Sequence, residues 1–238
     1  MAARTVMAVG GHIGDMDLAA GPLLAQVVND GGRAVLVALT PGERGHPRLG
    51  VDEYKAQKIA EGQAFAAGIG AEFHVFDDLS DGFLPATDDV AARVARLIRA
   101  VRPDWLIAHW RNSIHTDHEN ASTVAERARF LAGLPGWAPG DGGAPSDGER
   151  HGVGRLFYAE NWEDAHGFAA DTYLPVSADA YERWRAAIEG QAFARGETYG
   201  FRYIDYYTAQ LTLRGCLART DRAVALASSD DAPVEVLT

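Results

Sequence analysis

The sequence predicts an α/β fold: a doubly wound, mostly parallel Rossmann-like sheet with helices on both faces. Short apolar runs end in glycine or polar turns, as buried strands do. Each is followed by a longer stretch whose apolar residues recur at helical spacing. The alternation fills the first two-thirds of the chain, and repetition of that kind packs as parallel strands joined by right-handed crossovers.

"RTVMAVG" is the first buried strand, closed by glycines. "DLAAGPLLAQVVNDGG" follows with Leu18, Leu23, Leu24, Val27 and Val28 at helical spacing and ends in a Gly31-Gly32 cap. "RAVLVALT" is the second strand, "VDEYKAQKIAEGQAFAAGIG" a helix and "EFHVFD" the third strand. "TDDVAARVARLIRAVRP" places Val90, Val94, Leu97, Ile98 and Val101 on one face; Thr87 or Asp88 caps it and Pro103 stops it. "DWLIAHW" is the fourth strand and "ENASTVAERARFLAGL" the helix after it. Residues 135–152 are Gly, Pro and Asp without a period and read as a mobile surface loop, because a strand-like "GRLFYAEN" resumes at once. "DTYLPV", a helix "SADAYERWRAAIEGQAFARG" and a last helix through "YIDYYTAQLTLRGCLART" complete one domain over residues 1–238.

Composition narrows the function. A formal charge of −11 argues against a nucleic-acid partner, since phosphate binding rests on clustered Lys and Arg. The single cysteine, Cys216, excludes an internal disulfide and a thiolate metal cluster, and fits a reducing cytoplasm; it reads as buried filler. The early apolar run is broken by Gly10 to Asp15, which is wrong for a secretory signal, and nothing approaches a membrane span. A small molecule is the expected partner. The oligomeric state stays open.

Two clusters carry chemistry. "HIGD" puts His12 and Asp15 three residues apart at a helix entrance, and "HTDH" puts His115 and His118 three apart with Asp117 between them. Two of the eight histidines thus fall within one turn, and His109 lies just upstream. Histidine and carboxylate are donors that zinc prefers. In the common doubly wound order the first and fourth strands are neighbours at the switch point, where the sheet's carboxyl ends open a crevice. Both clusters sit just past those ends. The glycines of "GGHIGD" do not make G-x-G-x-x-G, and the second strand ends in Thr40-Pro41 rather than an acidic residue, so a dinucleotide site is disfavoured.

At these residues the sequence resembles the LmbE-like, or PIG-L, family of zinc-dependent N-deacetylases, whose pattern is A-H-P-D-D after the first strand and H-P-D-H or similar after the fourth. "LTPGERG" and "FDDLSDGFL" are lesser echoes. The resemblance covers about the first 130 residues. It implies that His12, Asp15 and His118 hold Zn2+, with iron(II) as an alternative for the same donors. It also implies that His115 is a catalytic imidazole and Asp117 its orienting partner. One position departs: the family's first aspartate falls on Gly14. Glycine cannot accept a proton, and general-base assistance is worth about 10²–10⁴ in rate.

Three explanations stay open. Glu43, Glu163 or Asp164 replaces the base; the metal serves another reaction, such as hydration or elimination; or the protein binds a ligand without turnover. A side chain restored at residue 14 can point to the open coordination position, unless glycine stands there for a backbone angle closed to aspartate. Arg111 and Trp162 are further candidates for substrate contact, with Arg111 meeting an anionic group and Trp162 a sugar face. Tyr203, Tyr206 and Tyr207 read as packing residues. The function expected is a zinc-dependent N-deacetylase acting on an acylated amine of a small polar or glycosylated metabolite.

Overall fold

The computed structural model describes residues 3–137 and 149–229. Most of the segment read as a mobile loop therefore lies outside the described residues. Strands β1 (Thr5–His12), β2 (Arg33–Thr40), β3 (Glu72–Val75), β4 (Trp105–His109) and β5 (Arg155–Ala159) pair in parallel. With β6 (Thr172–Pro175) and β7 (Ala223–Ser228) they form one sheet in the order β3-β2-β1-β4-β5-β7-β6. β7 runs antiparallel to both neighbours. The first and fourth strands are adjacent, with Val6 opposite Trp105 and Ala8 opposite Ile107. The mostly parallel α/β architecture expected from the sequence is the one observed.

Alternate residues of the strands feed two cores. Val6 and Ala8 pack with α2 (Gly21–Asn29), α3 (Val51–Ile69), α6 (Ala178–Ile188) and α7 (Tyr203–Ala218). Met7 and Val9 face the other way, onto α4 (Asp88–Val101) and α5 (Thr116–Gly133). Both faces of the central strands are buried, which is why they read as continuous apolar runs rather than alternating ones. Thr87 caps α4 by accepting the Val90 amide, one of the two caps foreseen. Gly70, at φ 78°, ends α3 in a left-handed turn.

Several boundaries differ from the sequence reading. The first helix is two: α1 (Asp15–Ala19) ends before Pro22, which sits in the first turn of α2. The helix expected over 177–196 stops at Ile188, just before Gly190, and irregular turns follow. β7 was not foreseen. Its sequence "AVALAS" carries one β-branched residue, so no strand preference stands out from the Ala-rich run. Cys216 is exposed rather than buried filler, because it lies on the outer side of α7. No helix among the described residues is long and apolar enough to cross a membrane.

Candidate active site

The carboxyl end of β1 hands over to α1 through His12, Ile13 and Gly14. α5 starts beside it with His115 as its N-cap, its Nδ1 accepting the Asp117 amide at 3.2 Å. The adjacency of β1 and β4 brings the two turns together. Asp15 Oδ2 stands 3.2 Å from His12 Nδ1 and 3.3 Å from His118 Nε2. Among the described residues, His12, Asp15 and His118 form one of three groups close enough to share a cation; the others are His12, Asp81 and His115, and His109, His118 and Asp164.

Each imidazole of the first group is held from behind. His12 Nε2 lies 3.2 Å from Asp81 and 3.3 Å from Asp117. His118 Nδ1 lies 3.0 Å from Asp164, whose other oxygen is 2.6 Å from His109 Nδ1. His109 Nε2 takes the Gly11 amide and stands 3.1 Å from Asp15. Carboxylates behind ligand histidines fix ring orientation and raise donor strength. Burial disfavours a charged His118, yet Asp15 and Asp164 outweigh it and push the ring up to about 10. His12 is likewise raised by Asp15, Asp117 and Asp81 against its burial. Burial favours a neutral Asp15, but His118 and His12 hold its carboxyl well below the usual range. Two imidazoles and a carboxylate that converge in this way are donors of the kind a divalent metal takes.

The resemblance made Asp117 the orienting partner of His115. Its carboxylate instead accepts the Gly82 and Leu84 amides at 2.7 and 3.2 Å and faces His12, because the loop after β3 folds over the start of α5. Asp117 therefore orients a proposed ligand, and His115 meets only its backbone amide. The His115 ring centroid is 4.7 Å from that of His12 and 4.9 Å from that of His118. Burial, then repulsion from those two rings, lowers its affinity for a proton.

A cavity of about 480 Å³ opens onto this cluster, lined by Asp15, Asp81, His115, His118, Glu163 and an aromatic wall. The three candidate replacement bases separate. Glu163 lines the cavity, and burial raises its pKa. Asp164 is fully buried behind His118 and His109, so it cannot reach a substrate. Glu43 is buried beneath the loop after β3, where it accepts from Ser80 and the Asp81 amide. Trp162 is on the cavity wall, stacked on Phe201 at 4.8 Å. Arg111 is not there. It pairs with Glu126 at 2.7 Å beside Tyr158, in a different cavity against α5, because the chain turns outward after β4.

Gly14 adopts φ 109°, a conformation that side-chain-bearing residues rarely take. A Cβ there would stand 2.3 Å from Phe193 Cζ and 3.3 Å from Lys58 Nζ. Of the two readings of residue 14, the backbone angle closed to a side chain is the one observed, and Phe193 fills the space a side chain would need. Lys58, Asp81, Phe193, Tyr199 and Phe201 were not singled out from the sequence, and His109 was noted only as lying upstream of the second cluster. Asp81 lay within the quoted "FDDLSDGFL", and Lys58 falls on the buried stripe of α3 with Tyr54, Phe65 and Ile69.

The family model for PIG-L, GlcNAc-PI de-N-acetylase, matches residues 7–129, the stretch that contains every residue of the His12, Asp15, His118 group. The chain belongs to the PIG-L family. Its relatives within and around that family carry two chemistries in their names. A 4-oxalmesaconate hydratase from Pseudomonas putida is 26% identical over 94% of this chain and 84% of its own length. A 1D-myo-inositol 2-acetamido-2-deoxy-alpha-D-glucopyranoside deacetylase from Salinispora arenicola is 29% identical, over 57% of this chain and 54% of its own length. The crystal structure of the 4-carboxy-2-hydroxymuconate hydratase of Pseudomonas putida superposes with a TM-score of 0.83 at 23% identity, covering 99% of this chain and all of that one. The N,N'-diacetylchitobiose deacetylase of Pyrococcus horikoshii gives 0.74 at 14% identity, over 95% of this chain and 84% of that one, which again speaks for the PIG-L fold.

Proposed function

We propose that this chain is a zinc-dependent hydrolase of the N-deacetylase type, acting on an acylated amine of a small polar metabolite. The observation that carries the reading is the convergence of His12, Asp15 and His118 at a cavity that also holds His115 and Glu163. Two imidazoles and a carboxylate suit zinc, and would also hold iron(II). A divalent metal held there supplies Lewis acidity, polarising an acyl oxygen and lowering the pKa of a coordinated water.

The chain's own residues handle the protons. Glu163 is the proton acceptor that replaces residue 14. It faces the cavity, and its one ion pair among the described residues is to His118 Nδ1 at 3.5 Å. Asp81 also faces the cavity, but its oxygens already meet His12 and the Arg44 amide. His115 has Nδ1 engaged by the Asp117 amide, which leaves its Nε2–H to donate a hydrogen bond to the acyl oxygen as charge develops there, while the proton taken up by Glu163 passes on to the departing amine. Trp162, Phe201 and Tyr203 exclude water and offer apolar faces to the rest of the substrate.

A second reading, hydration of an unsaturated carboxylate, draws support from Gly14 and Phe193, which remove the family's carboxylate, and from the hydratase relative that spans 94% of the chain. One assay separates them. The zinc-loaded protein is offered N-acetyl sugars and N-acetyl amines, with released acetate measured, and unsaturated carboxylates, with loss of conjugated absorbance measured. Acetate release that falls about 10²–10⁴-fold in Glu163→Gln at unchanged zinc content supports the hydrolase. Absorbance loss without acetate favours the hydratase, and acetate release untouched by Glu163→Gln removes Glu163 from the mechanism.

A further inference from the structure

Lys58 is a buried charge with no partner charge in contact. It is 4% exposed. Its Nζ donates to the Ile13 carbonyl and stands 3.9 Å from the centroid of the Phe193 ring. Among the described residues it forms no ion pair. Burial lowers its pKa, and the fields of Asp15, Asp17, Glu61 and Asp81 act against that without supplying a contact. An ammonium has three N–H donors, and a carbonyl and an aromatic face account for two. Buried charges are ordinarily paired, so a cation left this way is unfinished without a further group.

Its location says what that group is. Lys58 lines the cavity, and its Nζ lies 3.3 Å from where a Cβ on Gly14 would stand, one residue before Asp15. Among the described residues it is the single Lys or Arg on the cavity wall. We propose that Lys58 is the counter-charge for a carboxylate of the substrate, which makes the substrate class a small carboxylate-bearing molecule. This deepens the functional reading, on which it rests for taking the cavity as the active site; it holds for an N-acylated amino acid and for an unsaturated acid alike. A purely structural role, tying α3 to the turn after β1, needs one neutral donor and no charge.

The test uses the full chain, metal-free and zinc-loaded, titrated by calorimetry with malate and citrate, with N-acetylglucosamine as the neutral control. The metal-free arm separates Lys58 from direct ligation of the carboxylate by zinc. Malate and citrate should bind metal-free wild type, bind Lys58→Met at least about tenfold more weakly, and bind Lys58→Arg nearly as well as wild type. The neutral sugar should not distinguish the three proteins. Equal carboxylate affinity in Lys58→Met, or carboxylate binding that requires zinc, overturns the proposal. Should Lys58→Met fail to fold, thermal stabilisation of metal-free wild type by malate but not by dimethyl malate is the expected result, and equal stabilisation by both overturns it. Elemental analysis of each protein keeps the readings apart, because absent zinc with intact carboxylate binding sinks the metal site alone.

Discussion

Across the cavity, two regions of the molecule face each other and are built differently. On one side, His12, Asp15, His115 and His118 leave the ends of parallel strands β1 and β4 through short turns. On the other, the segment from Phe193 to Tyr207 supplies five aromatic side chains to the wall, reached through irregular turns and the start of α7. The first side holds Asp15 within 3.3 Å of both His12 and His118; the second packs rings, Trp162 stacked on Phe201 and Phe201 edge-on to Tyr203 at 4.6 Å. The parallel half brings titratable groups together at set positions, and the aromatic half shapes the wall. Changes in the first should act on turnover and metal, and changes in the second on substrate affinity.

The largest expected effect is on the first side. His118→Ala should abolish metal binding and all turnover, while His115→Ala should keep its metal and fold and lose turnover alone. Elemental analysis beside the acetate assay checks both, and loss of metal in His115→Ala would move that residue among the ligands. Next comes Asp164→Ala, which removes the carboxylate shared by His118 and His109. It should weaken metal affinity by about 10–100-fold without contacting substrate, read by competition with a chelator.

How much of this was legible follows the same divide. The clustering of His12, Asp15 and His118 could be read because the first two stand at the end of β1 and the third in the first turn of α5, and the adjacency of β1 and β4 brings those turns together. Asp117 was read as the partner of His115, three-dimensional placement of the 80–84 loop being invisible in a local motif. Arg111 was placed at the site from sequence proximity, and the outward turn after β4 took it away. Phe193 could not be read at all. It meets Gly14 across 179 positions of sequence, through an irregular stretch with no period to fix its direction.

On the second side, Phe201→Ala should raise KM about 2–10-fold with little change in kcat, the range expected for losing one aromatic contact. A matching fall in kcat would show that the aromatic wall also positions the reacting group.

The smallest effect concerns the seam between the regions, where Gln191 donates to Asp17 at 2.6 Å. Burial pushes the Asp17 carboxyl up to about 7, with Gln191 and Lys58 opposing. The folded chain thus favours a proton on Asp17 that the unfolded chain releases near pH 4, so the contribution of this group to stability falls between about pH 4 and 7. Asp17→Asn is spared that loss. Its melting temperature relative to wild type should rise from pH 5 to pH 8, and a constant difference would refute the assignment.

Anomalous diffraction at the zinc edge, from crystals of the zinc-loaded chain, tests the central claim most directly. Among the described residues three donor groups could hold the ion, and they share His12 or His118. The expected result is one peak per chain bounded by His12, Asp15 and His118, with Glu163 and His115 on its open side. A peak among His12, Asp81 and His115, or among His109, His118 and Asp164, would contradict it.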